Sequence, residues 1–300
     1  MITAAVLAAL ALGCALGAWR FTSARWTYRA PRVAILLWQA LGVAWGLASV
    51  GALLAYAVQP YDQGVLQGLI SFAGGGSPAA SWDLPHLLAL IAGLSLLAVL
   101  IAVTVSAGVQ TLRARRRHRM LLALIAREDP EIPGVRVLDH PSAAAYCVPG
   151  WNSEVVVSAG TMELLSQDEL AAVLAHEAAH VRERHDLVLL PFGALRAALP
   201  WSKVVAEAQA QVELLIEMAA DDWARRHVSP RRLATALLRF GTAGAMPAPH
   251  GMLGAQSHVM ARVDRLIKPG PDLSRGMRYG ILTFCVILTT SAPFLWVIPL

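Results

Sequence analysis

The chain has 300 residues, of which 56% are hydrophobic and 15% charged, with a mean hydropathy of +0.54. Soluble domains are closer to a quarter charged, so the composition excludes an ordinary soluble enzyme and points to a membrane protein. The formal charge of +5 is no nucleic-acid signal, because the arginines cluster beside apolar segments, where they set topology; Cys14, Cys147 and Cys285 form no C-x-x-C, which argues against a disulfide framework or a cysteine metal centre.

Residues 1–19 carry no charge and match the ~20 apolar residues a bilayer span needs. A signal peptide would put positive charge ahead of its apolar core. Here Arg20, Arg25, Arg29 and Arg32 follow it, so a retained transmembrane helix is expected. Residues 33–59 form a second uncharged span, in which Gly42 and Gly46 make a small-xxx-small pair suited to close helix packing, although ordinary membrane glycines fit equally well. Residues 60–85 read as a loop with Asp62 and Asp83 but no Lys or Arg; Gly74-Gly75-Gly76 and Pro78 argue for a flexible connection. The third span, 84–112, runs into Arg113, Arg115, Arg116, Arg117 and Arg119. The positive-inside rule then puts the N-terminus outside and the chain from Arg113 onward in the cytoplasm.

Residues 113–278 hold 18 of the 20 acidic and 21 of the 25 basic residues, and form the water-facing domain. Segments 134–138 and 154–158 read as short strands bounded by Pro and Gly, with a turn at 146–151 between them. The second of these, centred on Val155–Val157, has the low charge of an edge that could pair with an extended substrate, or of an ordinary core strand. Ser166 and Glu169 have capping-box spacing at the start of a helix. Residues 187–201 are apolar but interrupted by Pro191, Arg196 and Pro200, which suits a buried or membrane-surface segment. Further helices are expected at 204–226, 230–240 and 257–267, with a loop at 241–254. Lys268, Arg275 and Arg278 precede a fourth uncharged span, 279–300, whose charges again put the C-terminus outside. The expected fold is therefore an α-helical integral membrane protein of the plasma membrane: three transmembrane helices (1–19, 33–59, 84–112) in a membrane domain 1–112, a mainly α, α+β cytoplasmic domain 113–278, and a fourth span 279–300.

The chemistry centres on His176-Glu177-Ala178-Ala179-His180, an H-E-x-x-H pattern inside a helix-forming run. Residues four apart on a helix lie about 40° apart around its axis, so both imidazoles can reach one metal ion. Glu177 follows the first ligand and can polarise a metal-bound water. Apolar Ala171–Leu174 and small Ala178 and Ala179 mark a buried helix, where two histidines and a glutamate without a partner would be costly. A catalytic zinc usually has three protein ligands and an open position. Glu217 and Asp221, four apart on the following helix, supply a ligand carboxylate and a carboxylate to orient a ligand histidine. Glu213, one turn earlier, competes for the ligand role, and a solvated face paired with Arg225 and Arg226 is the alternative for all of these acids. His185 lies five residues past His180, off its face, and reads as surface. His227, His258 and Arg262 are the candidates for stabilising the oxyanion of a peptidase transition state.

Taken together, Glu154-Val-Val-Val-Ser-Ala-Gly160, Leu164 to Leu170, the H-E-x-x-H run, Leu199-Pro200-Trp201 and Glu217-Met-Ala-Ala-Asp221 resemble the gluzincin membrane peptidases. The short interval between His180 and Glu217, and the order of three spans, zinc domain and final span, resemble the BlaR/MecR type, related to the HtpX and Ste-type peptidases. The resemblance implies a zincin-like (gluzincin) domain and one Zn2+ per chain held by His176, His180 and Glu217. It also implies Glu177 as the base and Asp221 orienting a ligand. Ser257-His258 and Arg262-Val-Asp-Arg265-Leu are similar to an HtpX-like segment, which brings His258 and Arg262 toward the active site. It further implies a protein substrate, with a cytoplasmic transcriptional repressor as the expected partner beside the lipid bilayer, and no direct nucleic-acid contact. BlaR/MecR sensors continue into a penicillin-binding domain, whereas this sequence stops at Leu300, so β-lactam sensing by an acylated serine is not expected. The alternatives are a quality-control protease of HtpX type and a non-catalytic membrane signalling or scaffold protein. The intact Glu177 speaks against the latter.

Overall fold

The computed structural model describes residues 1–128, 134–148, 154–242 and 255–298, with the side chains of Glu154 and of residues 255–258 excepted. The chain forms two compact units, one of residues 1–105, 195–208 and 273–300, the other of residues 106–194 and 209–272.

In the first unit, α1 (Ile2–Phe21), α2 (Pro31–Ala57), the start of α4 (Leu84–Ile125) and α11 (Arg275–Val297) are predominantly apolar, with α1, α2 and α4 rich in Leu, Ala, Val and Gly. These four helices are long and apolar enough to cross a membrane. The unit's core gathers Leu7, Ala48, Val50, Leu54, Ala57, Val65, Leu90 and Ala292. Close helix approach falls on other glycines than the pair singled out from spacing. A Cβ on Gly51 would stand 2.1 Å from Trp296 Nε1, and one on Gly93 2.9 Å from Leu54. Gly42 faces open space and Gly46 stands at ordinary contact with Leu100. The 60–85 segment is not all loop: α3 (Val65–Ala73) forms there. The helix α4 does not stop at its arginines. Its 42 residues extend about 63 Å at 1.5 Å per residue, twice the hydrocarbon thickness of a bilayer.

In the second unit, β1 (Ala126–Glu128), β2 (Val135–Leu138), β3 (Ala145–Val148) and β4 (Glu154–Ser158) form a sheet of order β1-β2-β4-β3. Only β2 and β4 run parallel. The strand β4 is thus internal, paired on both sides, and β1 and β3 are the edges. Of the two readings of Val155–Val157, the ordinary core strand holds and the edge does not; the reading of 146–151 as a turn is corrected, since Tyr146–Val148 are strand, and 149–151 lie outside the described residues. Alternation sorts the side chains. Val135, Val157 and Ala145 pack with Leu165, Leu170, Val173 and Ala236 on one face, while Val148, Val156 and Leu122 pack on the other.

Helix α5 (Ala159–Leu164) starts at Ser158, and α6 (Gln167–Arg182) starts at a capping box, in which Ser166 Oγ accepts from Glu169 N–H and Glu169 accepts from Ser166 N–H. Arg239 reaches the same Glu169 oxygen at 2.9 Å. After α6 the chain turns through Arg184, held in the left-handed region at φ 50°, into α7 (His185–Ala198). Helices α8 (Lys203–Ala224), α9 (Pro230–Thr242) and α10 (Ala255–Ile267) follow. Residues 241–242 close α9, and the remainder of the expected 241–254 loop lies outside the described residues. Ala172, Ala224, Leu233, Ala234, Val263 and Leu266 form a core between these helices; the alanines let them approach closely.

Candidate metal centre

Three helices of the second unit converge on one buried cluster. Helix α6 brings His176, Glu177 and His180; α8, lined by the fully buried Leu215, Met218, Ala219 and Ala220, brings Glu217 and Asp221; α10 brings Arg262. His176 Nε2 lies 3.0 Å from His180 Nε2 and 3.3 Å from Glu217 Oε2, and His180 Nε2 lies 3.5 Å from Glu217 Oε1. Ligands at about 2.05 Å around a tetrahedral zinc are about 3.3 Å apart. The donor set thus fits such an ion in spacing as well as in kind, and this group could hold a metal. Glu213 is not part of it: it accepts from Gln209 Nε2 at 2.9 Å.

Behind the donors stands a set of carboxylate contacts. His176 Nδ1 faces Asp221 Oδ1 at 3.0 Å. Arg262, 4% exposed, donates to both oxygens of Asp221 at 2.9 and 2.8 Å and pairs with Glu217 Oε2 at 2.8 Å. The neighbouring Asp222 is tied instead to Arg265 at 2.7 Å and Arg225 at 3.3 Å. His180 turns its other nitrogen, Nδ1, to His185 Nδ1 at 3.0 Å, and His185 Nε2 lies 3.4 Å from Glu183 Oε2. His185 is therefore buried at 4% exposure, not on the surface as spacing suggested. The helical count from His180 does not apply to it, because α6 ends at Arg182 and Arg184 reverses the chain. No signal in the sequence marks that reversal, since Arg is a rare left-handed residue.

The electrostatics follow from this packing. Burial, reinforced by Glu217, pushes the Glu177 carboxyl up to about 7, although Cys147 N–H bonds to it and opposes the rise. Burial pushes the His180 imidazole down to about 3. Burial also opposes charge on His176, but Asp221 and Glu217 outweigh it and raise the group to about 9. Against burial, Arg262 and the histidines hold Glu217 well below the usual carboxylate range and Asp221 at about 2. With Glu177 ionised and His176 neutral, as ligation of a metal requires, three carboxylates face one guanidinium, and a divalent cation would balance the remainder.

The bond from Cys147 N–H to Glu177 also sets the edge strand β3 directly beside the cluster. The Cys147 thiol is pushed up to about 12, first by burial and then by Glu177 and Asp186. Of the other candidates, His227 stays outside the group: it is exposed, stacks on Trp223 with ring centres 4.1 Å apart, and faces the Trp223 carbonyl. The side chain of His258 lies outside the described residues.

Residues 111–243 match the model of peptidase family M48. The chain is 36% identical over 84 residues to a protein named Protease HtpX homolog from Salinibacter ruber, covering 27% of this chain and 30% of that one. The likeness to a peptidase model and to a protein named a protease falls on the stretch that carries the H-E-x-x-H helix. A second Protease HtpX homolog, from Trichormus variabilis, is 36% identical over 78 residues (25% of this chain, 27% of that one), and a third, from Aeropyrum pernix, is 43% identical over 56 residues (19% and 18%). The aligned stretches span less than a third of the length of these curated relatives. No solved structure matches. The matches reach family M48 and not the narrower BlaR/MecR type.

Proposed function

We propose that the protein is a membrane-embedded, zinc-dependent endopeptidase with a gluzincin-like domain, holding one Zn2+ through His176, His180 and Glu217. The observation that carries this is the near-tetrahedral spacing of those three donors beside an ionisable Glu177. When bound, zinc supplies a Lewis acid that polarises the scissile carbonyl and lowers the pKa of water toward about 7. Glu177 is next to the ligand set, takes the proton from the attacking water and passes it to the leaving amine. Asp221 stands 3.0 Å from His176 Nδ1, placed to orient that ring with Nε2 free for the metal. Arg262 neutralises Asp221 and Glu217; its guanidinium is occupied there, so its contribution to oxyanion stabilisation is indirect. An extended substrate adds to the outer edge of β3, which leads its scissile bond to Glu177.

The arginine clusters that flank the candidate spans support a cytoplasmic peptidase domain with both termini outside. The substrate is then a protein on the cytoplasmic side. Regulatory cleavage, as of a transcriptional repressor, fits the BlaR/MecR-like architecture, while the likeness to proteins named Protease HtpX homolog is consistent with the second reading, a quality-control protease of HtpX type that acts on membrane proteins. Metal analysis and a proteome comparison test both. Purified protein should hold one zinc per chain, and Glu177→Gln should keep the zinc and lose proteolysis. Accumulation of a soluble repressor in cells carrying Glu177→Gln supports the first reading, and accumulation of membrane proteins the second. A protein without zinc, or a Glu177→Gln variant as active as wild type, sinks the enzyme reading.

A further inference from the structure

The contact between His180 and His185 has consequences for the metal site that rest on the reading above. His180 turns Nε2 toward His176 and Glu217, so its proton sits on Nδ1. The group 3.0 Å from that Nδ1 is Nδ1 of His185, which must therefore accept. His185 then carries its own proton on Nε2, where Glu183 Oε2 lies 3.4 Å away. Each proton in this chain has one donor and one acceptor, and the chain ends on a carboxylate. It is held in place from two sides. Arg184 at φ 50° turns His185 back over α6, and Arg115 of α4 pairs with the adjacent Asp186 at 2.9 Å, with both side chains largely buried.

We propose that His185, backed by Glu183, is a positioning residue that fixes the tautomer and ring orientation of His180 for metal binding, the counterpart of Asp221 behind His176. The two ligand histidines thus have unlike supports. His176 leans on a carboxylate directly, and His180 reaches one through a second imidazole. A buried core histidine without this role would need only bulk, and a leucine would serve it as well. A positioning histidine needs an acceptor at Nδ1, which asparagine reproduces with Oδ1 and leucine lacks.

The test uses the full chain in detergent, with zinc affinity measured by chelator competition and the ligand field read from the visible spectrum of the cobalt(II)-loaded protein. His185→Leu should weaken zinc binding about 10- to 100-fold, the usual effect of losing such a partner, and shift the cobalt bands. His185→Asn should recover most of the affinity although it fills less space. Glu183→Ala, at a partly exposed position, should weaken zinc several-fold and stands in if His185→Leu fails to fold. Wild-type affinity in His185→Leu or its stand-in, or an asparagine variant no better than leucine, overturns the assignment while leaving the zinc reading intact. A wild-type protein that binds no zinc overturns the zinc reading itself.

Discussion

Arg262 is the part of the cluster whose removal has the most calculable effect. Its guanidinium makes three contacts of 2.8–2.9 Å to two carboxylates, of which Asp221 is fully buried. Deleting one partner of a buried charge pair costs about 3–5 kcal/mol, because the other charge is left without compensation. Arg262→Gln should therefore lower the melting temperature of the full chain in detergent and chelator by roughly 6–20 °C, at 2–4 °C per kcal/mol for a unit of this size. Saturating zinc neutralises Glu217 and leaves only Asp221 exposed to the loss, so the deficit should shrink markedly. Arg262→Lys keeps the charge but cannot hold both Asp221 oxygens and Glu217 in one planar fork, so it should fall between. The measurements are thermal unfolding by circular dichroism with and without zinc, and zinc affinity for each variant. A deficit below about 1 kcal/mol with unchanged zinc affinity would refute the charge-balance argument. An equal deficit with and without zinc would show that Arg262 acts by packing alone.

Three further outcomes follow from other parts of the second unit. Glu169 is raised by burial but lowered further by Ser166 and Arg239, so it ionises below its unfolded pKa of about 4.3. Its stabilising effect is present above that pH and lost as pH falls through the folded value. Glu169→Gln should thus be less stable than wild type by about 1 kcal/mol at pH 7 in thermal unfolding, and the gap should close as pH falls through the folded value. Gly160 admits no side chain, since a Cβ would stand 1.9 Å from the Pro141 carbonyl oxygen; Gly160→Ala should destabilise the unit by about 1–3 kcal/mol or more in thermal unfolding. Cys147, with its thiol at about 12, should resist iodoacetamide at pH 8 until the protein is unfolded, because it holds roughly a thousandfold less thiolate than a free cysteine; rapid labelling of the folded protein would contradict its burial.

The parts of the cluster that lie within one helix could be read from spacing. His176 and His180 share a face of α6, and Glu217 and Asp221 a face of α8, because 3.6-residue periodicity holds inside each helix. The parts that depend on how the chain turns or pairs could not. His185 follows a left-handed Arg184, so helical counting from His180 assigned it to the wrong environment. The edge of the sheet could not be read from Val155–Val157, because pairing is non-local and both β2 and β3 close around that strand. Gly42 and Gly46 have the right spacing for a packing motif, but spacing says nothing of what stands opposite. Gly51 has Trp296 there, and Gly42 has nothing within 4 Å. The apolar spans were legible from composition alone, while α3 formed from a stretch whose glycines pointed to a loop.

The same distinction separates what the family match supports from what the geometry adds. The M48 match covers residues 111–243 and so includes His176, Glu177, His180, Glu217 and Asp221, but ends before Arg262. Helix α6 alone offers neutral donors, and α8 alone offers two carboxylates that would be costly to bury side by side. Among the described residues, α10 supplies the leading cation that lets Asp221 and Glu217 stay ionised inside the unit, with the histidines of α6 adding to it, and it does so from 41 residues beyond Asp221 in the chain. The charge state on which metal binding depends is therefore a property of the three-helix assembly, and not of the H-E-x-x-H helix. Loss of α10 from the assembly should weaken zinc binding even with His176, His180 and Glu217 intact, and Arg262→Gln tests that contribution with the motif itself unchanged.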